Sequence, residues 1–134
     1  WGFHSHRPGL RVPSMMAPTI VLAGNDVEIA LGSAGSNRIR SAIVQTIANV
    51  IDNGMDAQAA VDAPRIHVEG DLIDAEPGVD PQALEWLAGH DWELRRWSDH
   101  NLYFGGVQAV VRDEAGVISG GGDPRRGGAV HAVG

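Results

Sequence analysis

The sequence has no cysteine among its 134 residues, which excludes disulfides, thiolate metal sites and cysteine nucleophiles. Aromatic side chains make up only 5% of the chain, and no apolar run reaches the roughly 18 residues of a membrane-spanning helix. Basic residues are also few: ten Lys and Arg stand against seventeen Asp and Glu, for a net charge of −7. Without a concentrated basic surface, the chain is not expected to bind nucleic acid or an acidic membrane.

The residues that are present describe one folded unit. A composition of 43% hydrophobic and 20% charged residues is typical of a globular domain rather than of a disordered segment. No internal repeat or linker divides the chain, so residues 1–134 are predicted to form a single domain. The opening segment, residues 1–9, has no strand or helix period and no initiator Met, and it resembles an interior loop. We therefore expect this domain to be a fragment of a longer protein.

The histidines form no recognisable metal site. His4 and His6 alternate as two ligands on one strand face would, but no third ligand has an obvious position near them. The sequence therefore predicts no metal and no other cofactor.

Hydrophobic periodicity predicts both strands and helices. Two β-branched runs at 19–23 and 27–31 flank Gly24-Asn25-Asp26, which is a hairpin signal because these three residues tolerate tight turns. An isoleucine repeat of helical period follows from Ile39. The other predicted helices are at 57–63, capped by Asp56, and at 81–88, capped by Asp80. The other predicted strands are at 66–68, 72–73, 92–97, 106–112, 117–121 and 129–133. This mixture predicts one α/β layer structure.

A glycine-serine turn, Gly32-Ser33-Ala34-Gly35-Ser36-Asn37-Arg38-Ile39, lies between the second run and the helix. A glycine-rich turn that opens a helix leaves backbone N–H groups unpaired at the positive end of the helix dipole. Such groups bind a carboxylate, a phosphate or a transition-state oxyanion. A purely structural strand-to-helix turn would have the same spacing. A nucleotide-binding loop is disfavoured because the turn lacks the lysine that precedes the Ser or Thr of a phosphate-binding loop.

Five motifs follow one another along the chain: Arg11-Val12-Pro13-Ser14-Met15-Met16-Ala17-Pro18-Thr19-Ile20-Val21, the turn just described, Asn49-Val50-Ile51-Asp52-Asn53-Gly54-Met55, Ala60-Val61-Asp62-Ala63-Pro64-Arg65-Ile66-His67, and Asp123-Pro124-Arg125-Arg126-Gly127. Together they resemble the γ-glutamyltransferase family over nearly the whole chain, at the C-terminal part of its small subunit. The resemblance implies the αββα sandwich of the N-terminal-nucleophile hydrolases. This chain would form part of that sandwich, with a mainly antiparallel sheet.

The resemblance also implies a mechanism and partners. In this family a precursor cleaves itself to expose an amino-terminal threonine, which attacks the γ-carbonyl of glutathione or a related compound. A γ-glutamyl-enzyme ester forms, and water or an amino acid then accepts the acyl group. The chain begins with Trp1, and its threonines, Thr19 and Thr46, fall in a predicted strand and a predicted helix. We therefore expect the isolated chain to be inactive without the remainder of the parent polypeptide, the large subunit and the N-terminal part of the small subunit.

Four residues take site roles from the resemblance. The family pattern at the turn is Gly-Ser-Pro-Gly-Gly-Ser-Arg-Ile, and its consecutive glycines supply the N–H groups of the oxyanion hole. Those positions are Gly35 and Ser36 here, and serine keeps the backbone donor if its dihedral angles suit the turn. The second site is Ser14 and Met15, where many members have two serines that bind the α-carboxylate end of the γ-glutamyl group. Met15 has no donor, so substrate preference is expected to differ.

Several alternatives stay open at this stage. Met15 is compatible with a different acyl substrate, such as a cephalosporin side chain or a poly-γ-glutamate. A non-catalytic module that binds an anion or a partner through the turn would share the same motif. The Asp123 to Arg126 segment is interpreted as a turn with an internal ion pair, with an arginine near a carboxylate pocket as the alternative. Because half of a sandwich exposes sheet edges, we expect self-association as a homo-oligomer or pairing with the missing part. The resemblance allows a periplasmic, secreted or cytoplasmic location.

Overall fold

A computed structural model describes residues 7–11 and 14–132 of the chain. His4 and His6 therefore lie outside the described residues. The elements within the described part are β1 (Thr19–Ala23), β2 (Asp26–Ala34), α1 (Arg38–Ile51), α2 (Ala57–Asp62), β3 (Ile66–Glu69), β4 (Leu72–Ala75), α3 (Pro81–Ala88), β5 (Glu93–Arg96), β6 (Gly106–Arg112) and β7 (Ile118–Gly122), with short 3-10 helices at Leu102–Phe104 and Pro124–Arg126.

The strands form two sheets. The larger sheet has the order β1-β2-β6-β7 and is antiparallel throughout. The smaller sheet has the order β3-β4-β5, in which β3 and β4 are antiparallel and β4 and β5 are parallel. Helix α3 provides the crossover that a parallel pair requires. The predicted fold class, mixed α and β with mainly antiparallel sheets, is confirmed.

The hydrophobic core lies between the inner face of the larger sheet and the helices α1 and α2. Alternate residues along β2 and β6 point toward the helices, as the period of two in a strand requires. The buried residues of this layer are Ile29, Leu31, Val107, Ala109 and Val111 from the strands and Ile39, Ala42, Ile43, Ala57 and Val61 from the helices. The isoleucine period that predicted α1 is thus its buried stripe.

The outer face of the same sheet is apolar but exposed. Ile20 pairs with Ala30, Ala30 with Val110, and Val110 with Gly120, so these residues form one row across all four strands. Ile20 and Val110 are 59% and 49% exposed. The side chain of Val130 lies against Gly120, where a Cβ would come within 2.8 Å of it. In the described part of the chain, helices thus cover one face of the larger sheet, and the other face is exposed except where residues 128–130 cross β7.

Several local predictions are confirmed. Gly24 has φ +63° in the β1–β2 turn, as a tight hairpin requires. Asp56 begins α2 by accepting a hydrogen bond from the Ala59 amide, and Asp80 begins α3 by accepting one from the Gln82 amide. None of the helices in the described part is both long enough and apolar enough to cross a membrane.

The extent of the glycine-serine turn was predicted wrongly. Gly32, Ser33 and Ala34 are the last residues of β2 rather than the start of a turn. They pair with Gln108, Val107 and Gly106 of β6, so hydrogen bonding to the neighbouring strand keeps them extended. The turn is thereby shortened to residues 35–37.

The strand predicted at residues 129–133 is also wrong for its described residues, 129–132, which form no strand. Gly127 adopts φ +64°, and the Gly128 amide donates to the Asp123 carbonyl, which turns the chain back. Ala129 then crosses the face of β7 at Gly122, where a Cβ would lie 2.6 Å from the Ala129 nitrogen. A segment that runs over the face of a strand cannot pair with its edge.

Candidate functional site

The turn between β2 and α1 has an unusual backbone. Gly35 has φ +136°, and a Cβ there would lie 2.7 Å from the Gly105 Cα, so only glycine fits. Ser36 has φ +55°, in the left-handed region, which costs an L-residue about 1 kcal/mol. Serine therefore occupies the conformation that the family pattern assigns to glycine, and its backbone N–H is retained.

The amides at this turn are available to a ligand. The carbonyls of Gly35 and Ser36 accept hydrogen bonds from the Arg38 and Ile39 amides at 3.1 Å each, which begins the helix. Across the described residues, the amides of Gly35 and Ser36 donate to no protein acceptor. They lie at the N-terminus of the 14-residue helix α1, where the helix dipole favours negative charge.

An open cavity of about 340 Å³ lies in front of these amides. It is lined by Gly35, Ser36, Arg38, Leu102, Tyr103 and Arg126. The two lining side chains that carry charge are both guanidinium groups. The cavity is therefore lined by two residues with unpaired amides and by two arginines, a combination that suits an anionic group.

The Arg38 side chain is held flat against an aromatic ring. Its guanidinium carbon lies 3.9 Å from the centroid of Tyr103, a cation–π geometry. The Arg38 Nε is buried without a hydrogen-bond partner in the described part of the chain. A stacked guanidinium keeps its position while its outer N–H groups stay free for a ligand.

A buried carboxylate fixes Tyr103 from behind. The Tyr103 hydroxyl donates to Asp74 Oδ2 at 2.7 Å, and Trp97 Nε1 and Arg95 Nη2 donate to the same carboxylate at 2.7 Å each. Burial raises the pKa of Asp74, but these donors outweigh it and bring the pKa to about 2. Burial, together with the bond to this carboxylate, raises the pKa of Tyr103, so the phenol stays a neutral donor.

A second ion cluster lies next to Arg126 in the chain. Arg65 Nη1 lies 2.7 Å from Asp123 Oδ2, and Arg125 Nε lies 2.7 Å from Glu76 Oε1. Arg125 also lies 3.3 Å from Asp123, which agrees with the interpretation of this segment as a turn with an internal ion pair. All four side chains are nearly or fully buried.

The cluster holds the short 3-10 helix that contains Arg126. Asp123 also accepts from the Val107 amide at 2.8 Å, which joins the turn to the start of β6. Burial raises the pKa of Asp123, but the Val107 amide and Arg65 outweigh it, so the pKa falls below its usual value. A Cβ at Gly106 would collide with the Arg126 side chain, so that glycine lets Arg126 pass along β6 into the cavity.

Ser14 and Met15 lie in the irregular segment before β1. The Ser14 Oγ accepts a hydrogen bond from the Met16 amide at 3.2 Å, and Met15 is 43% exposed. Neither residue lines the cavity at the turn. Their role in substrate binding stays a prediction, as does the role of Gly35 and Ser36 in an oxyanion hole.

Sequence reasoning gave no site role to Arg38 or Tyr103, and it included Arg126 only through the alternative of an arginine near a carboxylate pocket. Arg38 stands two residues after Ser36, so the turn motif itself could have indicated it. Arg126 belongs to a recognised motif, but only the close approach of the chain at Gly106 places it at the turn. Tyr103 has no signal in the sequence because its position depends on Asp74, 29 residues away. Among the described residues, no group of His, Asp or Glu side chains is arranged to hold a metal ion.

Comparison with known proteins gives one consistent result. The family model described as Gamma-glutamyltranspeptidase matches residues 3–133. The Acylase ACY 1 proenzyme of Pseudomonas sp. (strain SE83) is 32% identical over 113 residues, which cover 84% of this chain and 20% of that protein. The Glutathione hydrolase proenzyme of Escherichia coli (strain K12) is 30% identical over 120 residues, covering 88% of this chain and 20% of that protein.

The structural comparison agrees. The crystal structure of the Bacillus anthracis transpeptidase enzyme CapD superposes with a TM-score of 0.81 at 27% identity, covering 96% of this chain and 77% of that chain. The chain thus spans about one fifth of the length of the curated relatives it matches. The match over nearly all of its residues shows that the chain belongs to the gamma-glutamyltranspeptidase family.

Proposed function

We propose that the protein containing this chain transfers or hydrolyses γ-glutamyl groups through an acyl-enzyme, and that this chain supplies the oxyanion hole and part of the substrate pocket. The observation that carries the proposal is that Gly35 and Ser36, whose amides donate to no acceptor among the described residues, line a cavity together with two arginines. Family membership supports it, since several relatives are named glutathione hydrolases.

The proposed chemistry divides the work between this chain and the rest of the protein. An amino-terminal threonine hydroxyl outside this chain attacks the γ-carbonyl, and its proton passes to the threonine's own amine. The carbonyl oxygen becomes an oxyanion, to which the Gly35 and Ser36 amides donate. The C–N bond then breaks, the leaving amine takes the proton, and a γ-glutamyl ester remains. Water or an amine releases the acyl group by the same steps in reverse.

Charge at the cavity supports an anionic substrate. Arg38 and Arg126 both line the cavity, and a guanidinium group is positively charged and donates hydrogen bonds to carboxylates. In this proposal the Ser14 hydroxyl binds the α-carboxylate end of the acyl group, with Met15 beside it. Because Met15 is apolar, this subsite offers the substrate one hydrogen-bonding side chain fewer than a pair of serines would.

A different acyl substrate is the second candidate within the same reaction type. Met15 favours it, and two relatives carry names from outside glutathione hydrolysis: an acylase and the capsule biosynthesis protein CapD. A cephalosporin side chain or a poly-γ-glutamate chain would then replace the γ-glutamyl group of glutathione. Comparing kcat/KM for these three substrates in the full protein distinguishes the candidates.

The remainder of the parent polypeptide is the proposed partner of this chain. The chain covers about one fifth of relatives that are proenzymes, and the apolar row across the outer face of the larger sheet is exposed. In the αββα arrangement that the family resemblance implies, the second sheet would cover this row. The nucleophilic threonine would belong to that same remainder and would reach the cavity from there.

The test uses two substitutions at the turn of the full protein. Gly35→Ala puts a methyl group into Gly105 and displaces the amides, so kcat for release of 4-nitroaniline from a γ-glutamyl anilide should fall about 100-fold or more. Ser36→Gly keeps the N–H and relieves the positive φ, so kcat should stay near the wild-type value.

Thermal unfolding of both variants shows whether each is folded. A folded Gly35→Ala variant with wild-type kcat would contradict the proposed role of the turn. A wild-type protein that binds anions but releases no 4-nitroaniline, and whose parent polypeptide has no upstream threonine, would instead support a non-catalytic module.

A further inference from the structure

The side chain of Asn37, at the end of the glycine-serine turn, does not form the hydrogen bond that is usual for its position. It is the N-cap of α1, where an asparagine side chain normally accepts a hydrogen bond from an amide of the first helical turn. No such bond is made here, and the backbone of Asn37 is already helical at φ −59° and ψ −25°. The side chain instead donates from Nδ2 to Glu69 Oε1 at 2.7 Å.

This bond joins the turn to a different part of the fold. Glu69 is the last residue of β3 in the smaller sheet, whereas the turn follows β2 of the larger sheet. Hydrogen bonding to Asn37 lowers the pKa of Glu69, so the carboxylate is ionised and accepts strongly at neutral pH. This hydrogen bond therefore connects the turn to an acceptor on the smaller sheet.

Next to Glu69, the buried His67 connects β3 to Ser41 of α1. His67, which is 1% exposed, places Nε2 3.6 Å from Glu69 Oε2, and its Nδ1 lies 2.8 Å from the Ser41 Oγ on α1. Gln45, one turn further along α1, donates to the Ile66 carbonyl and accepts from the Ile66 amide. The beginning of α1 is thus fastened to β3 at three successive points.

The turn needs such a fastening because its own backbone is strained. Ser36 occupies a left-handed conformation that costs about 1 kcal/mol relative to glycine. The Ser36 N–H belongs to the peptide group between Gly35 and Ser36, so its direction changes if the Ser36 backbone relaxes from its left-handed conformation. A hydrogen bond on the Asn37 side chain restrains the residue that follows Ser36 and thereby limits this relaxation.

We propose that Glu69 is a positioning residue for the reaction proposed above: through its hydrogen bond to Asn37 it holds the Ser36 amide in the orientation that stabilises the oxyanion. This inference rests on the proposed function of the turn. Glu69 does not line the cavity, so it acts on the transition state through Asn37 alone. Loosening an oxyanion donor affects kcat rather than KM, because the oxyanion forms only in the transition state.

The first experiment compares three variants of the full protein by release of 4-nitroaniline. Glu69→Ala removes the acceptor and should lower kcat about 10-fold, with KM unchanged. Glu69→Gln keeps an amide oxygen that accepts from Asn37, so kcat should remain within about twofold of wild type. Glu93→Ala, at the exposed start of β5 in the same sheet, is the matched control and should leave kcat unchanged.

An added negative charge separates positioning from folding. Asn37→Asp sets two carboxylates against each other and should lower kcat. Asn37 has no N-cap bond to lose, and a carboxylate at a helix N-terminus is favoured by the helix dipole, so thermal stability should hold. Adding Glu69→Gln to that variant restores a hydrogen bond, now donated by the introduced glutamine amide to the introduced aspartate, and should recover most of the lost kcat.

The outcomes are distinct. Wild-type kcat in folded Glu69→Ala and Asn37→Asp proteins, or no recovery in the double variant, would overturn the inference and leave the proposed function standing. A wild-type protein that releases no 4-nitroaniline would overturn both.

Discussion

At the scale of single residues, the site depends on a few side chains whose charge states are determined by their neighbours. Asp74 is the clearest case: it is buried, yet donors from Arg95, Trp97 and Tyr103 surround its carboxylate. A carboxylate that accepts several hydrogen bonds is stabilised in its ionised form. Asp74 thereby fixes the tyrosine ring on which Arg38 stacks.

Asp74 predicts how stability varies with acid pH. Its pKa is about 2 in the folded state, below the value of about 4 expected for an unfolded aspartate. The unfolded chain therefore binds the proton first, and the stabilisation from Asp74 is complete above about pH 4 and lost as the pH falls toward 2.

Asp74→Asn should remove this dependence. The variant should be less stable by about 2 kcal/mol at neutral pH, since bonds to a charged acceptor are replaced by bonds to a neutral one. Urea unfolding of the full protein between about pH 2 and 5, the range that the shifted pKa makes informative, measures the difference between wild type and variant. Parallel curves over that range would contradict the role given to Asp74.

At the scale of elements, the buried ion cluster joins the smaller sheet to the segment that follows β7 of the larger sheet. Arg65 precedes β3, Glu76 follows β4, and Asp123 and Arg125 follow β7. Arg125 also donates to the carbonyls of Val61 and Ala63 at the end of α2. The smaller sheet, α2 and the last strand are thus held together by two arginines and two carboxylates, whose charges balance.

Removing one member of this cluster should be costly. Arg65→Met leaves the buried carboxylate of Asp123 with one fewer cation, which typically destabilises a protein by about 3–5 kcal/mol. Arg112→Met is the matched control, because Arg112 forms an exposed pair with Asp26 at 3.7 Å, and such pairs contribute about 1 kcal/mol or less.

Chemical denaturation of both variants in the full protein provides the comparison. Equal losses of unfolding free energy in Arg65→Met and Arg112→Met would show that burial of the cluster has no energetic consequence.

At the scale of the whole molecule, the chain has one sheet face covered by helices and one face exposed. The row formed by Ile20, Ala30 and Val110 crosses the sheet at its centre, where a second layer would pack. A contiguous apolar face of this kind drives association in water. The expectation of self-association, or of pairing with the remainder of the polypeptide, follows from it.

The purified 134-residue chain should therefore associate in a concentration-dependent way and release no 4-nitroaniline. Ile20→Lys combined with Val110→Lys places two charges in the row and should shift sedimentation toward the monomer. Gln82→Lys combined with Ala83→Lys, at exposed positions of α3, adds the same charge away from the row and is the matched control.

A wild-type chain that sediments as a monomer at all concentrations would contradict the expectation about the outer face. Measurable hydrolysis by that chain would contradict the assignment of the nucleophile to the remainder of the polypeptide.

Much of the fold follows from local patterns that can be recognised in the sequence. The hairpin at Gly24, the capping aspartates Asp56 and Asp80, and the isoleucine stripe of α1 all lie where periodicity and turn chemistry predict them. These features depend on residues within a few positions of one another, and so they can be read from one segment at a time. The family motifs are local in the same sense.

Pairing between distant segments decided the rest. Gly32 to Ala34 are strand rather than turn because they pair with β6, far along the chain. Residues 129–132 form no strand because the chain there crosses the face of β7. The sequence by itself determined the family, most of the elements and the position of the turn that holds Gly35 and Ser36. Only the tertiary structure decided that Arg38, Tyr103 and Arg126 surround that turn and that Asn37 is bonded to Glu69, because contacts across a fold depend on how the sheets and helices pack.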